Sequence, residues 1–214
     1  MTRPSLSLGQ VEGVLPDGLY DEILLLGVRG FGINGFQPSN SNKLGIYDDA
    51  IFLITPGEVL GYNANTDPSR ALKNVAVLQP GTYWYTEDLH GIRHFAELKK
   101  DDREKVADYL AKNRGKDYPD PVTNAEGEKA ILPYYALRQD SPVTVKREGA
   151  AVSETVQSRA NWPWIDIHKG GYNTTSSAGC QTIYPDQWLD FRKKVYAAMD
   201  KAGIKRISYT LVNQ

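Results

Sequence analysis

DDAIFLITPGEVLGYNANTDPSR, residues 48–70, reads as a β-hairpin: an apolar run, Pro56-Gly57 as the turn, a second run, then Asn and Asp-Pro closing it. The same grammar recurs on both sides. EILLLGVRG (22–30) is a continuous apolar run ending in glycine, the pattern of a buried strand. VAVLQPGTYWY (75–85) repeats the strand and Pro-Gly order, and PVTVKREG (142–149) alternates Val143 and Val145 on one face. IKRISYTLV (204–212) reads as a last strand returning to the sheet. Thirteen Tyr, four Trp, nineteen Gly and twelve Pro suit many short strands joined by tight turns.

Two helices interrupt the pattern. Residues 101–115 carry acidic residues in the first turn, an apolar stripe of Val106, Tyr109 and Leu110, and Gly115 as a stop. Residues 185–203 open on Pro185 and close on Gly203, with Trp188, Phe191, Val195, Met199 and Ala202 at helical spacing, a stripe that belongs to the core. The expected fold is mainly β with a few helices (α+β), ending in a helix and a strand. At 214 residues the chain fits a single domain, with residues 1–20 as an irregular N-terminal arm and 112–129 as a surface loop.

Twenty-five basic and 26 acidic side chains, net −1, are spread along the chain rather than segregated, which argues against nucleic acid or a membrane surface as partner. The single cysteine excludes an internal disulfide and a Cys-rich zinc site. MTRPSLSLGQVEGVLPDG has no apolar h-region, so no signal peptide is expected, and no stretch approaches a membrane span.

The chemistry concentrates in residues 161–188. WPWIDIH is a strand pattern that places His168 at its end; GGYNTTSSAG is a compact turn-rich loop; Cys180 follows, just before QTIYP and the capped helix. Rigid elements on both sides of a loop are what fixes two reacting groups. A free thiol near pKa 8.5 is only a few per cent thiolate at neutral pH, and an adjacent imidazolium brings it down to roughly 3.5–7.5. The backbone N–H groups of Gly179 and Cys180 are the expected oxyanion donors. Two groups are available to orient His168: the Asp166 carboxylate, on the same strand face, or the backbone carbonyl of Lys169. The competing reading is a structural histidine and a small buried thiol, the usual state of a lone cysteine.

His168, Gly170, Ser177, Gly179 and Cys180, followed by Ile183 and Pro185, resemble the signature of the L,D-transpeptidase (YkuD-type) catalytic domain, in which a histidine and a Gly-rich loop precede the nucleophile. Papain-like, NlpC/P60 and CHAP peptidases place the cysteine first. Ala178 stands where that family usually has a second histidine and Thr182 where it usually has asparagine, and the interval from His168 to Cys180 is shorter than typical. GVRGF, YDDAIFLI, NANTDPSR and QPGTYWY in the earlier two-thirds are similar to uncharacterised proteins of tailed bacteriophages and prophages. The resemblance implies a β-sandwich with the Cys and His in a groove, no cofactor, a monomer, and peptidoglycan stem peptides as substrate. Gly170, Gly171, Tyr172, Ser176, Ser177 and Ala178 would face the substrate. Cys180 would attack the meso-diaminopimelate carbonyl and form a thioester, resolved by water (L,D-carboxypeptidase or endopeptidase) or by an amine (transpeptidation). A phage-like relative without a signal peptide fits a lysis enzyme, a virion-borne murein enzyme or an injected effector, made in the cytoplasm and acting in the periplasm or cell wall.

Arg147 and Arg70 are candidates for holding a stem-peptide carboxylate, and Tyr172 and Trp162 flank the catalytic pair as candidate groove walls. His90 and His94, four apart in LHGIRH, would share a helix face, but Gly91 replaces the glutamate of the zinc box, so no metal is expected. NANTDPS lacks the spaced acidic ligands of a calcium loop. Two rival functions remain: a non-catalytic wall-binding or virion component with an inert cysteine, and a cysteine hydrolase on a non-murein amide.

Overall fold

The computed structural model describes residues 1–15, 23–31, 42–71, 75–90, 104, 108, 122–123, 129–130, 134–157 and 164–213. Its strands are β1 (Leu24–Arg29), β2 (Asp49–Thr55), β3 (Glu58–Asn65), β4 (Ala76–Leu78), β5 (Gly81–His90), β6 (Val122–Thr123), β7 (Lys129–Ala130), β8 (Tyr134–Gln139), β9 (Val143–Arg147), β10 (Ser153–Val156), β11 (Ile167–Lys169), β12 (Gln181–Ile183) and β13 (Arg206–Asn213). Two helices accompany them, α1 (Leu8–Glu12) and α2 (Pro185–Ala202). The fold is mainly β. Eight strands close into a barrel in the order β1-β13-β5-β8-β11-β12-β3-β2, and β10-β9-β4 form a separate small sheet. No helix among the described residues is long and apolar enough to cross a membrane.

The 48–70 hairpin forms as read: β2 and β3 pair antiparallel from Asp49↔Ala64 to Thr55↔Glu58 around Pro56-Gly57. β1 is apolar from Leu24 to Val28 because its two faces enter different cores. Leu25 joins Ile51, Leu53 and Tyr62 in the main core, whereas Leu24, Leu26 and Val28 join Ala50, Phe52 and Ile54 in a second. That second core is covered by Leu6, Val11 and Leu15. The N-terminal arm is therefore not wholly irregular: Ser7 and Gln10 form a capping box that starts α1, and Val11 anchors it.

The α2 stripe packs as its spacing requires except at its last member, Ala202, which is exposed in the final turn. Trp188, Phe191, Val195 and Met199 are buried in the main core, with Phe191 edge-on to Tyr62 at 5.1 Å, and Gly203 ends the helix at φ 67°. β13 then returns and pairs parallel to β1 and antiparallel to β5, which closes the barrel on that side. β4 and β5, adjacent in sequence across Pro80-Gly81, do not pair with each other: β4 joins β9 and β5 joins β13 and β8. The expected helix over 101–115 lies almost wholly outside the described residues, as does the 112–129 loop apart from the β6–β7 ladder.

A buried polar layer closes one end of β1–β3. Asp49 accepts from Gly30 N (2.6 Å), Thr66 N (2.6 Å) and Thr66 Oγ1 (2.8 Å). Arg29 donates to the carbonyls of Thr66 (2.8 Å) and Leu78 (3.0 Å) and pairs with Asp67 at 3.2 Å. Gln181 of β12 donates to Thr66 O at 3.3 Å and accepts from Tyr209 Oη at 3.0 Å. Burial, above all, pushes the Asp49 carboxyl up to about 7, against the hydrogen bonds from Gly30 and Thr66 and with the Asp67 charge adding to the rise. An unfolded aspartate titrates at 3.8, so between that value and about 7 the folded chain binds the extra proton, and stability falls as pH rises through this window. Asp49→Asn should flatten the slope, its stability relative to the parent improving by about 3 kcal/mol from about pH 4.5 to about pH 8 in urea unfolding. A difference that stays constant with pH would contradict the assignment.

Candidate active site

β11 and β12 lie side by side and parallel, with Ile167↔Gln181, His168↔Thr182 and Lys169↔Ile183 in register. Paired residues of a parallel ladder point to the same face and alternate residues to opposite faces. Ile167 and Ile183 enter the main core. His168 and Thr182 take the other face, and Cys180 stands one residue before β12, outside the paired stretch. WPWIDIH is shorter as a strand than its pattern suggests: Trp162 lies outside the described residues, 164–166 are irregular, and His168 is central in β11 rather than at its end.

The connection 170–180 is tied down along its length. Tyr47 Oη donates to Gly171 O at 2.7 Å, and a Cβ on Gly170 would stand 2.0 Å from that hydroxyl, so only glycine fits. Ser69 N donates to Ser177 O (2.8 Å), Ser177 N donates to Ser69 Oγ (2.8 Å), and Ser69 Oγ meets Thr175 Oγ1 at 2.6 Å. Ser177 Oγ donates to Cys180 O at 2.6 Å and accepts from Gly179 N at 3.0 Å. Gly179, at φ 139°, leaves no room for a Cβ, which would stand 2.5 Å from Ala76 O. These bonds correct two expectations. Ser177 is buried and turned inward rather than toward substrate, and Gly179 N–H is already donated, leaving Cys180 N–H without an acceptor among the described residues.

Around the pair, His168 Nδ1 lies 2.7 Å from Lys169 O and 3.2 Å from Tyr134 Oη. A carbonyl only accepts, so Nδ1 carries the hydrogen and Nε2 is left as the basic nitrogen. Lys169, not Asp166, is thus the orienting group. Asp166 Oδ2 instead lies 2.8 Å from Nδ1 of His90, while its Oδ1 accepts from Gln139 N at 3.3 Å. The His90 ring stacks on His168, centroids 4.1 Å apart and planes 19° from parallel, and Tyr134 stands edge-on to His90 at 5.5 Å. Cys180 Sγ donates to Trp164 O at 3.5 Å; among the described residues no hydrogen bond joins it to His168. Arg138 sits 3.6 Å over the Trp164 ring.

The electrostatics also differ from expectation. Burial, then the Asp166 charge, pushes the Cys180 thiol far above its ordinary value. Burial, then the charge on His90, pushes His168 well below its own, against the Lys169 carbonyl. Two desolvated groups favour their uncharged forms, so the resting pair is thiol and neutral imidazole rather than thiolate and imidazolium. Such a pair can react by general-base catalysis, the proton leaving sulfur as the bond to carbon forms.

The other expected residues are dispersed. Tyr172 is exposed, its hydroxyl on Asp186. Gly171 is partly exposed, and Ser176 and Ala178 lie on the surface, Ser176 at φ 56°. Arg147 is on β9, paired with Glu154 at 2.6 Å; its register partner Ala76 abuts Gly179. Arg70 is exposed. His90 ends a strand, not a helix, and His94 lies outside the described residues. No group of three or more metal-ligating side chains occurs among the described residues. His90, Tyr134, Trp164 and Arg138 escaped sequence reading as site residues; only the pairing of β5, β8 and β11 brings them together.

In comparisons with known protein families, curated proteins and solved structures, nothing matches this chain.

A neutral thiol should resist alkylation. At pH 7 the folded chain should react with iodoacetamide at least about tenfold more slowly than free cysteine, with the rate climbing into the alkaline range. A fast rate that stays level below pH 7 would mean a preformed thiolate and overturn the neutral-pair assignment.

Proposed function

We propose that the chain is a cysteine-dependent acyl-transfer enzyme acting on peptidoglycan stem peptides, of L,D-transpeptidase type. The observation that carries this reading is the 2.7 Å bond from His168 Nδ1 to Lys169 O, which leaves Nε2 as base on β11, the strand paired in parallel with β12, at whose start Cys180 stands. The His-first order, the Gly-rich connection and the C-terminal helix and strand support the YkuD-type resemblance. In the proposed reaction His168 takes the thiol proton as sulfur bonds to the stem-peptide carbonyl carbon. Cys180 N–H steadies the oxyanion. Collapse breaks the C–N bond, His168 returns the proton to the departing amine, and a thioester remains. Water or a second amine then releases it, water being favoured in a lytic setting. The role fits a phage lysis, virion or injected murein enzyme that acts at the cell wall as a monomer without cofactor.

A second reading has an observation of its own. The uncharged thiol bonded to Trp164 O is what an inert structural cysteine would show, in a wall-binding or virion component. Incubating sacculi with the protein, digesting with muramidase and weighing the muropeptides separates the two. Shortened stems or altered cross-links, lost by about a hundredfold or more in Cys180→Ala, are expected; unchanged muropeptides, or activity that survives Cys180→Ala, would remove the enzymatic reading.

A further inference from the structure

The chain has three histidines, and two of them stack on each other from strands that are not neighbours. β8 lies between β5 and β11 and supplies Tyr134, which touches both rings: edge-on to His90 at 5.5 Å and 3.2 Å from His168 Nδ1. The two imidazoles differ in what they can do. His168 is 4% exposed, so a charge there would be poorly solvated; the His90 side chain is 26% exposed and meets a carboxylate oxygen at 2.8 Å. The carboxylate itself is aimed by Gln139 N. An ion pair needs such a second anchor to hold a ring in one plane.

We propose that His90, clamped by Asp166, is a positioning residue for the acyl-transfer site: it holds the His168 ring flat and keeps it the uncharged proton acceptor of Cys180. The inference rests on the function proposed above. It adds a device whose parts come from three strands. Like charges on two rings stacked 4.1 Å apart oppose each other at close range. The charge on His90 indeed acts to lower the proton affinity of His168. Among the described residues, the other charged or titratable groups facing His90 are Tyr134 of β8 and Asp88 on its own strand, the latter offset by Arg138 of β8, with Nη1 3.7 Å from its carboxylate. Asp166 also acts on the Cys180 thiol, so one carboxylate influences both ends of the reacting pair.

Nitrogen-15 NMR of histidine-labelled full-length protein tests this directly. The chain has three histidine rings, and His168→Gln identifies the His168 signal. Its midpoint should rise by about one pH unit, a tenfold gain in proton affinity, in His90→Phe, which keeps an aromatic face, and in His90→Gln, which keeps a donor to Asp166. Either folded variant suffices. An unchanged His168 midpoint in a folded variant would overturn the proposal. Iodoacetamide labelling of His168→Gln separates this outcome from failure of the enzymatic reading: if Cys180 reactivity ignores His168, the catalytic pair fails. If it follows His168 while the His168 midpoint ignores His90, only the positioning role falls.

Discussion

Everything at the candidate site depends on β11 and β12 running parallel and adjacent. Parallel neighbours usually need a crossover of a dozen or more residues, most often a helix that packs back on the sheet. Here the connection is the non-helical stretch 170–180. It cannot hold itself, so it is held from outside: by Tyr47 at Gly171, by Ser69 at Thr175 and Ser177, and by Ala76 against Gly179. At about 1 kcal/mol net for each hydrogen bond, these ties together outweigh no more than a few residues' worth of backbone ordering at about 1–2 kcal/mol each. Their rigidity is borrowed from the buried layer of Asp49, Thr66, Arg29 and Gln181, which fixes the segment carrying Ser69.

The same burial that fixes the loop sets its electrostatics. A half-buried thiol and a buried imidazole are both driven to their neutral forms. Neutrality leaves a weaker nucleophile at rest, and it makes the fixed tautomer matter more, because the base must be ready before the substrate arrives. Lys169 O settles which nitrogen that is. In the proposed reaction charge would then develop only during attack, where Cys180 N–H and the lowered dielectric would have their largest effect.

The hairpin at 48–70, the doubly buried β1 and the C-terminal helix were legible in the sequence because each is decided by local pattern: Pro-Gly between apolar runs, an unbroken apolar run, a stripe between Pro185 and Gly203. His168, Gly179 and Cys180 stood out through scarcity and spacing. What was not legible depends on long-range pairing. Nothing local sends Asp166 to His90 rather than to His168, two residues away on the same face. Nothing local turns the Ser177 hydroxyl onto its own loop while Ser176 stays exposed. His90 reads as half of a helical His-x-x-x-His pair until β5 is known to run through Gly81–His90 and to meet β8.

The central claim is that Cys180 is a nucleophile served by a neutral His168. The most direct measurement is mass spectrometry of the intact chain, and of its Cys180 peptide, after brief exposure to a disaccharide-tetrapeptide stem and acid quench. A thioester carrying the stem minus its last residue, located on Cys180 and depleted in His168→Ala, is the predicted result. A folded protein that carries no adduct on Cys180, or carries as much adduct without His168 as with it, would contradict the claim.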